Sequence, residues 1–472
     1  MRLASILLLL AACPLAAAEP AWPQFRGPGG AGVADAAKVP VEVGPTKNVL
    51  WKVAAPPGFS SPVVAGGKLF LTGFEGGKLF TLAYDAGTGK ELWRREAPAK
   101  AIEAYHKTEG SPAASTVATD GTRVVGYFGS CGLFAYDPAG ELLWKYELPT
   151  VKTDSDFGTG TSPVLAGGLV VLGRDQAKAG GPSRILALDA KSGSLAWETP
   201  RSGAITSFAT PAVWETPGGT QVVFPGAKKL TAYDLKSGKE VWTVTGMPSV
   251  TCTTPVVVGT DLVFAGWSPG GATEMKMPTF DDILKADADG DGAISRAESE
   301  NTFLKGFFDS NDTNKDGKIS RDEWDAAMGA MAGGKNCAVA ITPGGKGDIT
   351  ATHVRWRVTK GMPYVPSPLV YRDQMYVINM RGQLSAYDVK TGKDVFLEEG
   401  VGLTGVYASP VAANGHVYLF GLDGSVVVLK PGDFADVKHR AKFGERIAAT
   451  PAIAGDTLYV RTASSLYAFK AK

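Results

Sequence analysis

A serine- or threonine-proline pair followed by an apolar run recurs at Ser61-Pro62, Ser111-Pro112, Ser162-Pro163, Thr210-Pro211, Thr254-Pro255, Ser367-Pro368, Ser409-Pro410 and Thr450-Pro451. The steps between these eight copies are 50, 51, 48, 44, 113, 42 and 41 residues, so the chain is a repeat with one insertion. The runs after each pair, such as Leu69-Phe70-Leu71 and Met375-Tyr376-Val377-Ile378, read as strands. A second run often ends in a small residue, an aromatic and aspartate: Ala83-Tyr84-Asp85, Ala135-Tyr136-Asp137, Ala232-Tyr233-Asp234 and Ala386-Tyr387-Asp388. A turn and a tryptophan strand follow, from Asp85 to Trp93, Asp189 to Trp197 and Asp234 to Trp242. Asp137 to Trp144 is one residue shorter, and Asp388 to Phe396 carries phenylalanine instead. Aspartate opens such a turn by accepting from amides ahead of it, and glycine supplies the positive φ. The indole is expected to wedge between neighbouring sheets.

Four short antiparallel strands per 40 to 50 residues, eight times over, describe an all-β, eight-bladed β-propeller. The last copy, from Thr450 to Lys472, stops after three strands, while Asn48 to Val53 stands unpaired before the first. That N-terminal segment is expected to complete blade eight and leave no open sheet edge.

The composition is compatible with one large core. The 472 residues are 44% hydrophobic and 20% charged, with 59 glycines and a mean hydropathy near zero, which excludes a disordered chain, a coiled coil and a polytopic membrane protein. A net charge of +1 with no basic stripe gives no support for nucleic acid. Residues 1–18 read as a secretory signal: Met1-Arg2, an apolar run from Leu3 to Ala12, and Ala16-Ala17-Ala18 for cleavage. The alternative is lipoprotein processing at Leu10-Ala11-Ala12-Cys13, which would anchor Cys13 in a membrane. Either way the mature protein is expected in the periplasm or outside the cell. Cys131, Cys252 and Cys337 remain, an odd number. Cys252 and Cys337 flank the insertion and a bridge between them stays open, against small buried thiols.

The repeated Asp-x-x-Thr/Ser-Gly-Lys-x-x-Trp units resemble the PQQ-type (quinoprotein) propeller repeat over roughly residues 45–472, apart from the insertion. Trp22-Pro23-Gln24-Phe25-Arg26-Gly27-Pro28 is similar to the opening of exported bacterial members. The resemblance implies an eight-bladed fold shared by the assembly factor BamB and the quinoprotein alcohol dehydrogenases. It implies little about chemistry, because its signature residues build blades.

Between Gly271 and Gly334 the sequence becomes charged and helix-forming, a small α-helical insertion in blade five. Residues 287–298 and 312–323 each fit the twelve-residue EF-hand loop. The ligands expected in the first are Asp287, Asp289, Asp291, the Ala293 carbonyl and Glu298. In the second they are Asp312, Asn314, Asp316, the Lys318 carbonyl and Glu323. Calcium takes six to eight hard oxygens, and the glycines Gly292 and Gly317 allow the bend such a loop needs. Ile294 and Ile319 are expected to pair across the loops, and one helix from Ser299 to Asp309 to serve both. Two calcium ions are therefore expected, with loop one the tighter for its four carboxylates. The expected role is structural, holding the insert against blade five.

The family's enzymes carry PQQ and calcium in the central funnel, under an adjacent Cys-Cys pair and beside a carboxylate base. Here the cysteines are isolated. Asp154, Asp156 and Asp175 are candidate bases, with solvated surface carboxylates as the bland reading. His106, His353, His416 and His439 have neither metal nor triad spacing. The chain is therefore read as an exported calcium-binding propeller with a binding or scaffold role. Its partner is expected to be a protein, peptide or carbohydrate held on a propeller face, and a PQQ-dependent dehydrogenase of alcohols or sugars is the alternative. The expected division is a signal peptide (1–18), an N-terminal extension (19–47), propeller (48–272), EF-hand pair (273–334) and propeller (335–472).

Overall fold

A computed structural model describes residues 22–177, 181–201, 205–270 and 277–471. The signal segment and Cys13 lie outside the described residues. Alternating apolar runs pair as antiparallel ladders into eight sheets around one axis. Blade one runs outward through Val63–Ala65, Lys68–Glu75, Lys78–Asp85 and Glu91–Ala97. Blade five is interrupted: Val256–Val258 and Asp261–Gly266 precede the insertion, and Cys337–Ile341 and Val354–Val358 follow it. Blade eight takes Ala452–Ala454, Thr457–Arg461 and Ser465–Lys470 from the C-terminal end and its outer strand, Val49–Ala54, from the N-terminal part. The ring is closed as the sequence implies.

The repeated hydroxyls explain the ring's inner geometry. The Ser61 amide donates to the Thr116 hydroxyl, Thr116 to Ser162, Ser162 to Thr210, Thr210 to Thr254, Thr254 to Ser367, Ser367 to Ser409, Ser409 to Thr450, and Thr450 back to Ser61. Each hydroxyl stands on a blade's entry to its inner strand, so the circuit ties every blade to the next. Proline after seven of the eight holds the preceding backbone extended, away from the helical region. The second member corrects the sequence reading. Ser111 is not in the circuit and caps Ala113 instead, at 3.1 Å. Thr116, followed by Val117, takes its place because the connection after Ala97 is long enough to carry Ser111 past the ring.

The tryptophan strands make the outer contact. Trp51, Trp93, Trp144 and Trp197 each donate their indole N–H to a carbonyl in the next blade's aspartate turn: Ala86, Pro138, Ala190 and Leu235. The turn glycine lies flat on the ring. A Cβ on Gly193, where φ is +72°, would stand 2.5 Å from Trp144. Trp356, not singled out from the sequence, does the same to Val389 at 3.0 Å. Trp242 does not, and donates to Gln221 of its own blade at 2.8 Å. Blade five replaces the short turn with residues 342–353, whose Gly347–Asp348 pairs directly beside Trp242. In blade seven His439 faces Val428 where other blades have the aromatic, and its ring bonds the Val43 carbonyl.

The segment before the closing strand fills the channel from the turn face. Trp22 bridges to Val64, Thr119 donates to the Pro23 carbonyl, and Arg26 donates to the Pro368 carbonyl at 2.7 Å. Val33–Ala34 adds a parallel strand inside blade seven. The channel thus has a floor at this end, and its opposite mouth forms a funnel.

Candidate functional site

The funnel wall is built from the connections that lead into each inner strand. Aromatic rings of Phe25, Phe59, Phe157, Phe208, Tyr364 and Tyr407 line it, with hydroxyls of Ser61, Thr116, Ser162, Thr210 and Thr450 from the ring below. Glu109 is its one carboxylate among the described residues and accepts from the Tyr407 hydroxyl at 2.8 Å. Among the described residues no arginine, lysine or histidine lines it. Cys252 also lines it, but burial pushes its thiol up to about 12, so it stays protonated and unreactive. All three cysteines are free, which removes the Cys252–Cys337 bridge.

The candidate bases stand elsewhere. Asp175 is buried in an ion pair with Arg201, at 2.7 and 3.1 Å, rather than solvated. Asp154 accepts from the amide and hydroxyl of Thr206, both at 2.7 Å. Asp156 is exposed. None of the three lines the funnel. A carboxyl that sequence reasoning missed is Glu103, buried at 1% exposure in the long connection after blade one. It accepts from Thr159 at 2.7 Å, its second oxygen has no partner, and burial raises it to about 7. No local pattern marks it, because its burial depends on where the loop folds back.

The insert emerges between the second and third strands of blade five, on the funnel side. It has its own core of Phe280, Ile283, Ile294, Leu304, Phe308, Ile319 and Trp324. Ile294 and Ile319 pair as expected. The single helix expected from Ser299 to Asp309 is instead Arg296–Ser299, a 3-10 turn Phe303–Gly306, and Phe308–Asn311. Thr302 accepts from Leu304 and starts a new turn, which breaks the helix.

The two acidic loops share one skeleton. Asp287 accepts from the amides of Gly290 and Gly292 at 2.8 and 3.0 Å, and Asp312 from those of Asp316 and Gly317 at 3.1 and 3.0 Å. Glu298 accepts from Ala288 and Ser295, and Glu323 from Thr313 and Ser320. These bonds hold both glutamates ionised, at about 2. The Ser295 hydroxyl dominates for Glu298, while for Glu323 the bonds outweigh an opposing effect of burial. Carboxylate oxygens of Asp287, Asp289 and Asp291 lie within 4.8 Å of one another. Lys318 reaches across from the second loop to form an ion pair with Asp291.

The insert is not held against blade five alone. Its exit is tied there, with Ser249 donating to the Met331 carbonyl at 2.5 Å. Its far side crosses the mouth. The Phe307 ring stacks on His106 at 6.3 Å and 19°, and His106 packs on Phe157 at 5.5 Å. His106 and Phe157 belong to the connections before blades two and three. Phe157 also lines the funnel, so the insert reaches the funnel's rim.

Hydroxyl circuit, docked indoles and N-terminal closure together define the class: an eight-bladed β-propeller of PQQ-like repeats. The family model described as outer membrane protein assembly factor BamB matches residues 37–158, 83–279 and 279–472, and the chain belongs to that family. The comparison with curated proteins gave no match. Among solved structures the chain is similar to BamB from Moraxella catarrhalis, at 15% identity over 90% of this chain and 97% of that one, with a TM-score of 0.56. It is also similar to a europium-containing methanol dehydrogenase (11% identity, 96% and 98% covered, TM-score 0.59). A quinohemoprotein alcohol dehydrogenase from Comamonas testosteroni is a third (13% identity, 96% and 81% covered, TM-score 0.53). At these identities the likeness is one of fold.

Proposed function

We propose that the protein is an exported, calcium-binding propeller that presents its funnel face to a protein, peptide or carbohydrate partner. Its insert forms a calcium-stabilised roof over that face. The observation that carries this reading is the packing of Phe307 on His106 and Phe157, stacked on the first and tilted on the second, which joins the acidic-loop insert to the funnel mouth. The loops fit calcium by their chemistry. Three carboxylates crowded within 4.8 Å repel one another unless a cation neutralises them, and hard oxygens suit calcium. The residues that would hold it are Asp287, Asp289, Asp291, the Ala293 carbonyl and Glu298 in one loop. In the other they are Asp312, Asn314, Asp316, the Lys318 carbonyl and Glu323. When bound, the ion would fix the loop ends and the short helices they cap. Phe308 follows Phe307 directly and sits in the insert core, so order in the loops would pass to the roof. Family membership supports a protein partner, and export follows from the signal reading of residues 1–18.

The fold likeness to the two dehydrogenases favours a second reading, a PQQ-dependent oxidoreductase. The funnel does not fit that cofactor. PQQ carries three carboxylates, and a wall of aromatic rings, hydroxyls and Glu109 gives them no counter-charge. Calorimetric titration of the purified full chain separates the readings. Two calcium ions per chain and no heat from PQQ are expected; stoichiometric PQQ binding would reverse the choice.

A further inference from the structure

A second cavity, of about 280 Å³, lies off the axis between blades eight and one. Phe59, Gly110 and Ala448 separate it from the funnel and line both. Among the described residues its charged lining is Lys107, Arg446 and Arg461, with no aspartate or glutamate. Arg461, 1% exposed, donates to the Ser60 carbonyl and hydroxyl and to the Pro56 carbonyl, at 3.0, 2.6 and 2.8 Å. All of these acceptors are neutral, and its Nε has no partner. Arg446 lies over the rings of Phe59 and Tyr407, at 5.0 and 5.7 Å, and donates to the Thr108 carbonyl. Its Nε is likewise buried and unpartnered. Lys107 stands exposed at the rim. The buried Arg461 guanidinium is costly without a carboxylate, and with the half-buried Arg446 and a lysine on the same cavity it makes a site that an anion would stabilise.

The walls decide which anion. Phe74 and Tyr105 meet edge to face at 5.9 Å, and with Phe59 they offer apolar faces next to the cations. A hydrated phosphate dianion would gain nothing from those rings, whereas an organic acid covers them with its hydrocarbon part and sets its carboxylate in the field of Arg446, Arg461 and Lys107. The geometry points to a binding site for the carboxylate of a small aromatic or branched organic acid, beside the funnel. Two arginines and a lysine line it, and among the described residues no carboxylate does.

Benzoate is the probe, with benzamide as its neutral isostere and inorganic phosphate as the competing oxyanion, titrated calorimetrically into the full chain. Benzoate is expected to bind at least ten-fold more tightly than benzamide, and phosphate not to displace it. Arg446→Gln is expected to weaken benzoate at least ten-fold. Lys107→Ala, a rim change that leaves the core intact, should weaken it several-fold and flatten its salt dependence. Equal binding of benzoate and benzamide, no benzoate binding, displacement by phosphate, or benzoate affinity unchanged in Lys107→Ala and Arg446→Gln would each overturn the assignment.

Discussion

Single residues carry two consequences of the charge arrangement. Loop one has one more carboxylate than loop two, yet Lys318 sets an ammonium on Asp291, which offsets that advantage. Lys318→Gln keeps the backbone carbonyl and removes the charge, so calcium affinity is expected to rise about three- to ten-fold, from roughly 1 kcal/mol of relieved repulsion. A calorimetric titration with loop two silenced by Asp312→Ala reads that change. Glu103 makes the second case. Its carboxyl is raised to about 7 when folded, first by burial, and returns to its ordinary value near 4.5 on unfolding. Between those values the folded chain holds the proton and the unfolded chain does not, so stability falls as pH rises through that window. Glu103→Gln is expected to raise the unfolding free energy above pH 7 by roughly 1 to 3 kcal/mol and to leave it unchanged near pH 4. Urea melts at both pH values check this.

At the scale of elements, the blade joint is an indole on a turn. Trp144→Phe keeps the ring but leaves the Ala190 carbonyl without its donor, an expected loss of about 1 to 2 kcal/mol. Trp144→Ala is expected to lose about 3 to 5 kcal/mol, measured by the same melts. The aspartate, glycine and tryptophan spacing made these joints legible, because each is written within one repeat. The joints that depart from it were not. Trp242 finds Gln221 because of a loop that belongs to blade five, and Trp356 follows Asp348 at the usual spacing but without the Thr/Ser-Gly-Lys that marks the turn. Ser111 and Thr116 show the same limit. Both precede blade two's inner strand, and only the folded path of the long connection selects the second.

For the whole molecule, closure was readable from a missing strand at one end and a spare strand at the other. The floor and the roof of the funnel were not. Arg26 reaches Pro368, far away in sequence, and Phe307 meets His106 across about two hundred residues. Contacts of that kind depend on the ring being assembled first, so no local pattern records them. The two acidic loops were complete as motifs, but where their insert lies depends on the insert's outer aromatics, which carry no signature.

Hydrogen exchange with and without calcium tests the roof most directly, in the unaltered chain and in the double variant Asp287→Ala with Asp312→Ala. Calcium is expected to slow exchange in residues 287–323 and also in residues 103–110 and 154–158, where His106 and Phe157 meet Phe307. The double variant should lose both effects while the blade strands stay protected. Protection confined to residues 287–323 would contradict a roof, and no protection anywhere would contradict calcium binding itself.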